Sequence, residues 1–406
     1  MKRLKQNIGQ FNVFIWSTIF FSFSFGLGMA LNSIGFFLFC VTGFYYCAKD
    51  FRIYNRIFKM TPLVALNIIY FLFILIREFS INFKTAPEII FQYIAFLLIP
   101  LIVLIQSDNL KKHIQIILGA FLIGILLNAT INLGFGIYRG FIIKEEGVNF
   151  WYLTYHFLAE PFGIQPIYLG FFYVIAVMII LHYKSEFKNQ LYFYSCLTLL
   201  VISVFLLAAR NAILCLIVLV PIYLFISKKI SRKSGLVLAG ILAISFIVAL
   251  QNPVVKNRIF KVADKGNFYS GSSLRLNIWQ SAIAASEKNF IWGSGHEKTD
   301  MLLLKEYEYR DLKIPLKYKY HAHNQFLQTL IQYGVVGTII LIVFLVLAIW
   351  RTWEHRNYMG LTILMLFIFT MFTEAIFTRQ WGVLSFTFII SIVLISYENQ
   401  DKKIIN

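Results

Sequence analysis

The residues best suited to proton transfer lie in one short run, His321-Ala322-His323-Asn324-Gln325. Imidazole titrates near neutral pH, so a neutral ring can take a proton from an attacking hydroxyl. After Asn324, the apolar Phe326, Leu327, Leu330 and Ile331 recur on one helical face, with Gln325, Gln328 and Gln332 opposite. The spacing predicts a helix that starts at His323 or Asn324 and runs on through Gly334 and Gly337. The N–H groups and positive potential at such a start suit a phosphate and keep a nearby imidazole neutral. The plainer alternative is a pair of solvated histidines at a helix cap.

Two arginines could supply charge. Arg210 sits between apolar runs, in Leu206-Leu207-Ala208-Ala209-Arg210-Asn211-Ala212-Ile213. A cation flanked in this way usually faces a cavity and marks a substrate path, although one at the end of a span can snorkel outward. Guanidinium is the preferred bidentate partner of phosphate. Arg275 follows Ser272 and Ser273, either of which could cap a helix carrying Leu276, Trp279, Ile283 and Phe290 on an apolar face. That places Arg275 in a first turn, where the dipole disfavours it. A surface arginine is the competing reading.

Other features are weaker. Trp292-Gly293-Ser294-Gly295-His296 reads as a tight turn, and Glu374 reads as the structural partner of an arginine, with Arg379 nearby. The stretch with Arg139, Lys144, Glu145, Glu146, His156 and Glu160 shows no pattern. No Asp-x-Asp occurs, and the connection Gly28–Asn32 has no carboxylate, so hard oxygen ligands for magnesium or manganese are missing. P-loop, dinucleotide, paired-cysteine and serine-hydrolase motifs are also missing. Cys40, Cys47, Cys196 and Cys215 all lie in apolar runs and read as small hydrophobes.

The elements that position these groups are those of a polytopic all-α membrane protein. The 406 residues are 59% hydrophobic and only 14% charged, with a mean hydropathy of +0.72. Soluble domains carry about 25% charge, so a soluble enzyme and a disordered chain are excluded. Twelve spans are expected, at 11–29, 31–47, 61–77, 89–106, 114–133, 166–183, 191–209, 211–227, 236–250, 333–350, 361–377 and 380–397. With the N-terminus inside, 19 of 37 basic residues fall on the inner side, and short outer connections hold six. That asymmetry sets both termini in the cytoplasm and accounts for the formal charge of +18 without nucleic acid. The remaining 12 lie in residues 251–332, an 82-residue outer insertion with seven acids and three of the seven histidines. The chain thus divides into nine spans over 1–250, the large loop 251–332, and three spans with a cytoplasmic tail over 333–406. No small-residue site closes the first apolar run as in a cleaved signal peptide.

The pattern Arg275-x-x-x-Trp279, Trp292-Gly293-x-Gly295, then His321-x-His323-Asn324-x-x-Leu327-x-x-Leu330-x-x-x-Gly334-x-x-Gly337, with Arg210 upstream, resembles the O-antigen ligase and polymerase family of bacterial envelopes. The resemblance is specific over 206–340 and topological elsewhere. It departs at Gln165-Pro166-Ile167-Tyr168, where many relatives carry histidine before the proline. It implies a GT-C-like fold in the inner membrane, with a large periplasmic loop between helices 9 and 10. It also implies a metal-independent, cofactor-free inverting glycosyltransferase. The implied donor is a glycan on undecaprenyl diphosphate, and the implied acceptor is lipid A-core (a ligase) or another lipid-linked glycan (a polymerase, with a chain-length regulator as a partner). His323 is then the base, Arg210 and Arg275 the diphosphate clamp, Asn324 a positioning group and His321 a secondary candidate. Twelve spans and a buried arginine also describe a transporter. Against that, carriers usually show two related halves, and no internal repeat is visible here.

Overall fold

The computed structural model describes residues 12–49, 61–143, 149–228, 231–260 and 271–395. Basic residues used above to orient the chain, among them Lys2, Arg52, Lys229 and Lys402, lie outside that set, as does Lys144. The described residues are helical, with no strand among them.

The first helices are α1 (Val13–Ser24), α2 (Met29–Lys49), α3 (Pro62–Ile81), α4 (Ala86–Tyr93), α5 (Ala95–Ile105) and α6 (Ser107–Ile137). Next come α7 (Pro166–His182), α8 (Gln190–Leu207), α9 (Arg210–Ser227) and α10 (Arg232–Leu250). The insertion holds α11 (Pro253–Phe260), α12 (Gly271–Glu287), α13 (His296–Tyr309) and α14 (Lys313–Tyr318). The chain then returns through α15 (Gln325–Glu354), α16 (Tyr358–Met371) and α17 (Gln380–Ile395).

Among the described residues, eight helices are long and apolar enough to cross a bilayer. They correspond to eight of the twelve expected spans. The other four expected spans hold apolar helices that are shorter: α1, α7, α16 and α17. At about 1.5 Å per residue, 17 residues reach about 25 Å, short of the roughly 30 Å hydrocarbon layer. Packing explains how α7 tolerates this. Every residue from Tyr168 to Leu181 is buried, so α7 is jacketed by protein rather than lipid. It contacts α6, α8, α9 and α16. A helix apolar on all sides belongs at the centre of a bundle. Its neighbour α17 is similarly enclosed. Phe25, Phe121, Phe172, Trp381 and Phe388 interlock where α1, α6, α7 and α17 meet.

The insertion has its own small core of Ile278, Ala282, Ala285, Leu302, Leu303, Tyr307, Leu312 and Ala322, which continues into Ile331 of α15. The inward face of α12 therefore differs from the expected one. Leu276, Ile283 and Phe290 are exposed, and only Trp279 of that set is partly buried. Small residues face inward because α13 approaches closely there. The helix already includes Ser272 and Ser273, so its cap lies outside the described residues.

The expected continuous helix through Gly334 is broken. Gly334 has φ 63° and ψ −168°, and α15 turns at that point. The segment Phe290–Gly295 docks into the break. Ser294 and Gly295 donate to the carbonyls of Ile331 and Gln332 at 2.8 Å, and Val335 donates to Phe290 at 2.8 Å. These bonds satisfy the backbone groups that the kink releases. Gly293 (φ 73°) and Gly334 pack backbone to backbone, and a Cβ on Gly334 would collide with the Ile291 carbonyl. The glycine-rich run is thus a docking segment as well as a turn. On its other side, Arg77 of α3 donates to the carbonyls of Trp292 (3.0 Å) and Gly293 (2.9 Å).

Candidate active site

Asn324 is the N-cap of α15, within one residue of the expected start. Its side-chain oxygen accepts from the Leu327 N–H at 3.1 Å. Its amide donates to the Phe372 carbonyl at 3.2 Å, which ties the start of α15 to the end of α16. The turn after α16 is held elsewhere too. Gln325 accepts from the Phe377 N–H at 2.7 Å, Tyr168 donates to the Ile376 carbonyl at 3.2 Å, and Asn211 bonds Thr373. Together these contacts fix Glu374 beneath the two histidines.

Glu374 is paired with histidines rather than with an arginine. Its Oε1 lies 2.9 Å from His321 Nε2, and its Oε2 lies 3.1 Å from His323 Nδ1. Its side chain is 5% exposed. Burial pushes the carboxyl pKa up, but the hydrogen bonds it accepts from both histidines outweigh that and hold the group well below the usual range. Ionised carboxylate only accepts, so His323 carries its proton on Nδ1 and His321 carries its proton on Nε2. His321 Nδ1 accepts the backbone N–H of His323 at 3.1 Å. Both His321 nitrogens are therefore engaged. The Nε2 of His323 has no partner among the described residues and is available as a base.

His323 has φ 45°, a left-handed backbone that costs a non-glycine residue about 1–3 kcal/mol. Trp279 donates its indole N–H to the His323 carbonyl at 3.4 Å, and the Tyr320 ring meets the imidazole edge-on at 5.2 Å. These contacts offset the strain.

His321, His323 and Glu374 place possible metal-ligating atoms within 4.8 Å of one another. The hydrogen bonds do not suit a cation. A ligating imidazole donates its second nitrogen's proton outward. In His321 that second nitrogen accepts, so the ring proton occupies the nitrogen a metal would need.

A cavity of about 580 Å³ is linked to this cluster through Trp279, which lines it and bonds the His323 carbonyl, and through Thr373, the residue before Glu374. It is lined by Arg210, Arg258, Arg275, Asn211, Trp279 and Thr373, with other apolar and hydroxyl side chains and no carboxylate. Both expected arginines are here. Arg210 opens α9 and donates through Nε and Nη2 to the Arg258 carbonyl at 3.0 and 2.7 Å. Ala208 just before it has φ 48°, so the chain reverses sharply between α8 and α9 and leaves Arg210 exposed at the rim. Arg275 lies half-buried in α12 and makes no hydrogen bond or ion pair with a described residue. Arg258 is a third cation that the sequence reading missed. Its guanidinium stacks 3.5 Å from the Tyr155 ring centre, and its buried Nε has no hydrogen-bond partner. Nothing in its surroundings in sequence marks it out. Glu374 did carry a signal, because a lone carboxylate between apolar helices is a functional residue by default.

Residues 195–342, which include all three arginines and both histidines, match the model of the O-antigen ligase family. That match supports an O-antigen ligase family assignment. The chain is also 26% identical over 195 residues to an uncharacterized protein of Haemophilus influenzae, over 45% of this chain and 49% of that one. It therefore spans about half the length of this relative. The apolar helices and the family match together indicate a multi-pass inner-membrane protein.

Proposed function

We propose that this protein is a glycosyltransferase that moves a glycan from undecaprenyl diphosphate to a sugar hydroxyl, most simply in ligation of O-antigen to lipid A-core. The observation that carries this reading is a cavity lined by three arginines and no acid, one of whose lining side chains, Trp279, bonds the carbonyl of His323. The family match over residues 195–342 supports it.

The reaction needs no external energy, because diphosphate is already a good leaving group. The acceptor hydroxyl oxygen attacks the anomeric carbon, and its proton passes to Nε2 of His323. The bond from that carbon to the phosphate oxygen breaks, and the diphosphate leaves with the electron pair. Arg210 and Arg275 bind the charge that develops on it. Direct attack inverts the sugar centre. Asn324 positions His323 by capping the helix behind it. The hydrogen bonding of His321 supports a reaction without a metal ion. Twelve spans, cytoplasmic termini and a periplasmic active site complete the proposal, with the catalytic insertion at 251–332 between membrane parts 1–250 and 333–406. The excess of lysine and arginine on one side supports that orientation.

The test is a gel of envelope glycolipid from a strain lacking the gene, beside an extract of its undecaprenyl-linked glycans. Bare core lipid with polymer stranded on undecaprenyl diphosphate is the expected result. Core lipid carrying a single repeat would instead assign the same chemistry to polymerisation. An unchanged ladder would remove both. His323→Ala, inserted normally, should reproduce the deletion, whereas a transporter should tolerate it.

A further inference from the structure

We infer that Glu374 is the positioning residue of His323, and that His321 belongs to the same unit rather than acting as a second base. The inference rests on the reading of His323 as the base. It goes further by assigning the carboxylate on which that base depends.

A buried carboxylate is costly unless both oxygens are satisfied. Here each oxygen takes one histidine N–H, at 2.9 and 3.1 Å, and the side chain is almost fully enclosed. A helix turn needs no charge to hold its shape, and the neighbouring Asn324, Gln325 and Tyr168 already anchor this one. The charge does something a neutral side chain cannot. It keeps the His323 proton on Nδ1, so the bare Nε2 is the nitrogen left for the acceptor hydroxyl. It also stabilises the imidazolium formed when that proton arrives. The stabilisation matters because Arg210, Arg258 and Arg275 line the cavity that Trp279 links to this cluster and oppose a new positive charge. His321 donates to the other carboxylate oxygen and accepts the His323 backbone N–H, so it braces both partners. Tyr320 closes the remaining side of the ring.

The test uses full-length protein in detergent, donor extracted from the deletion strain, and core lipid from the same strain. Glu374→Gln keeps the shape and removes the charge. Expected is a fall in kcat of about 10²–10⁴-fold with donor KM within about threefold. The loss should fall on kcat and leave donor binding in place, as expected of a group that acts through the base. Glu374→Asp should recover part of the rate. Wild-type kcat, or a loss confined to donor KM, would overturn the inference. His323→Ala separates the two levels. If that variant is fully active, the reading of the base fails. If it is inert while Glu374→Gln is unimpaired, only the role of Glu374 fails. Should Glu374→Gln not insert, nitrogen NMR of ring-labelled wild-type protein decides, with peaks assigned through His321→Gln and His323→Gln. The expected forms are Nδ1–H for His323 and Nε2–H for His321, and Nε2–H on His323 would overturn the inference.

Discussion

Trp279 donates its indole N–H to the carbonyl of His323 at 3.4 Å, and the same residue lines the cavity that holds Arg210, Arg258 and Arg275. One side chain thus links the histidine–carboxylate cluster to the cationic chamber. Its position is set by α12, whose inner face packs on α13 and α15. The core of the insertion therefore sets where His323 lies relative to the three arginines.

The arginines should not be replaceable by lysine. Lysine keeps the charge but loses the planar fork that matches a phosphate. For Arg275→Lys we expect kcat/KM to fall about 10–100-fold, or roughly 1.4–2.7 kcal/mol of transition-state binding. Arg258→Lys should fall less in rate but should also lose its stack on Tyr155. Steady-state kinetics with extracted donor will measure both. Undiminished kcat/KM in both variants would remove the diphosphate from this cavity.

Gly334→Ala should be destabilising out of proportion to its one added carbon. The residue needs a positive φ, and its Cβ would meet the Ile291 carbonyl. A loss of at least about 1–3 kcal/mol is expected from the backbone term alone. Gly119→Ala is the control, since nothing lies within 4 Å of its Cβ. The apparent melting temperature in detergent should drop for the first variant and hold or rise for the second. Equal behaviour would argue against the docked loop.

Stability should also depend on pH through His296. Its ring is half-buried beside Gln332, which bonds Nδ1 at 3.0 Å, and desolvation pulls its pKa below the ordinary 6.5, with Asp300 only partly offsetting the effect. A histidine with a lowered folded pKa stabilises the fold fully above pH 6.5. On acidification the unfolded chain binds the proton first, so stability falls from about pH 6.5 towards the folded value and then levels off. Melting temperatures from pH 8 to 5 should decline over that window in wild type and decline less in His296→Gln. Parallel curves would show that His296 is not the responsible group.

The proposed orientation can be read by thiol labelling in intact cells. The four native cysteines are buried, so background is low. A cysteine at Tyr309, which is 85% exposed in the insertion, should react with a membrane-impermeant maleimide. One at the exposed Lys112 should react only after lysis. The reverse pattern would turn the whole site to the cytoplasm.

Much of the bundle is legible because hydrophobic runs and helix length are local properties. The helix start at Asn324 and the sharp turn before Arg210 are legible for the same reason. Glu374 lies 51 residues from His323, and its role depends on a turn that only the packed helices define. Arg258 reaches the cavity through α11, where no spacing distinguishes it from other basic residues. The α12 face was misplaced because small residues, rather than the large apolar ones, mark the side against which α13 closes. The break at Gly334 was hidden because a glycine inside a strongly apolar run is compatible with a straight helix. Its cause is a loop about 40 residues earlier in the chain.

That break also bears on how such proteins could diversify. The insertion and the bundle share main-chain bonds through Ser294, Gly295 and Val335, and share side-chain bonds through Arg77. It is not a cassette that can be lifted from one scaffold to another at its two ends. An exchange of residues 251–332 between relatives carries only half of a mated joint, since Gly334 and α3 stay behind. Chimeras that exchange the insertion should therefore take their seams beyond Gly337 and bring the end of α3 with them.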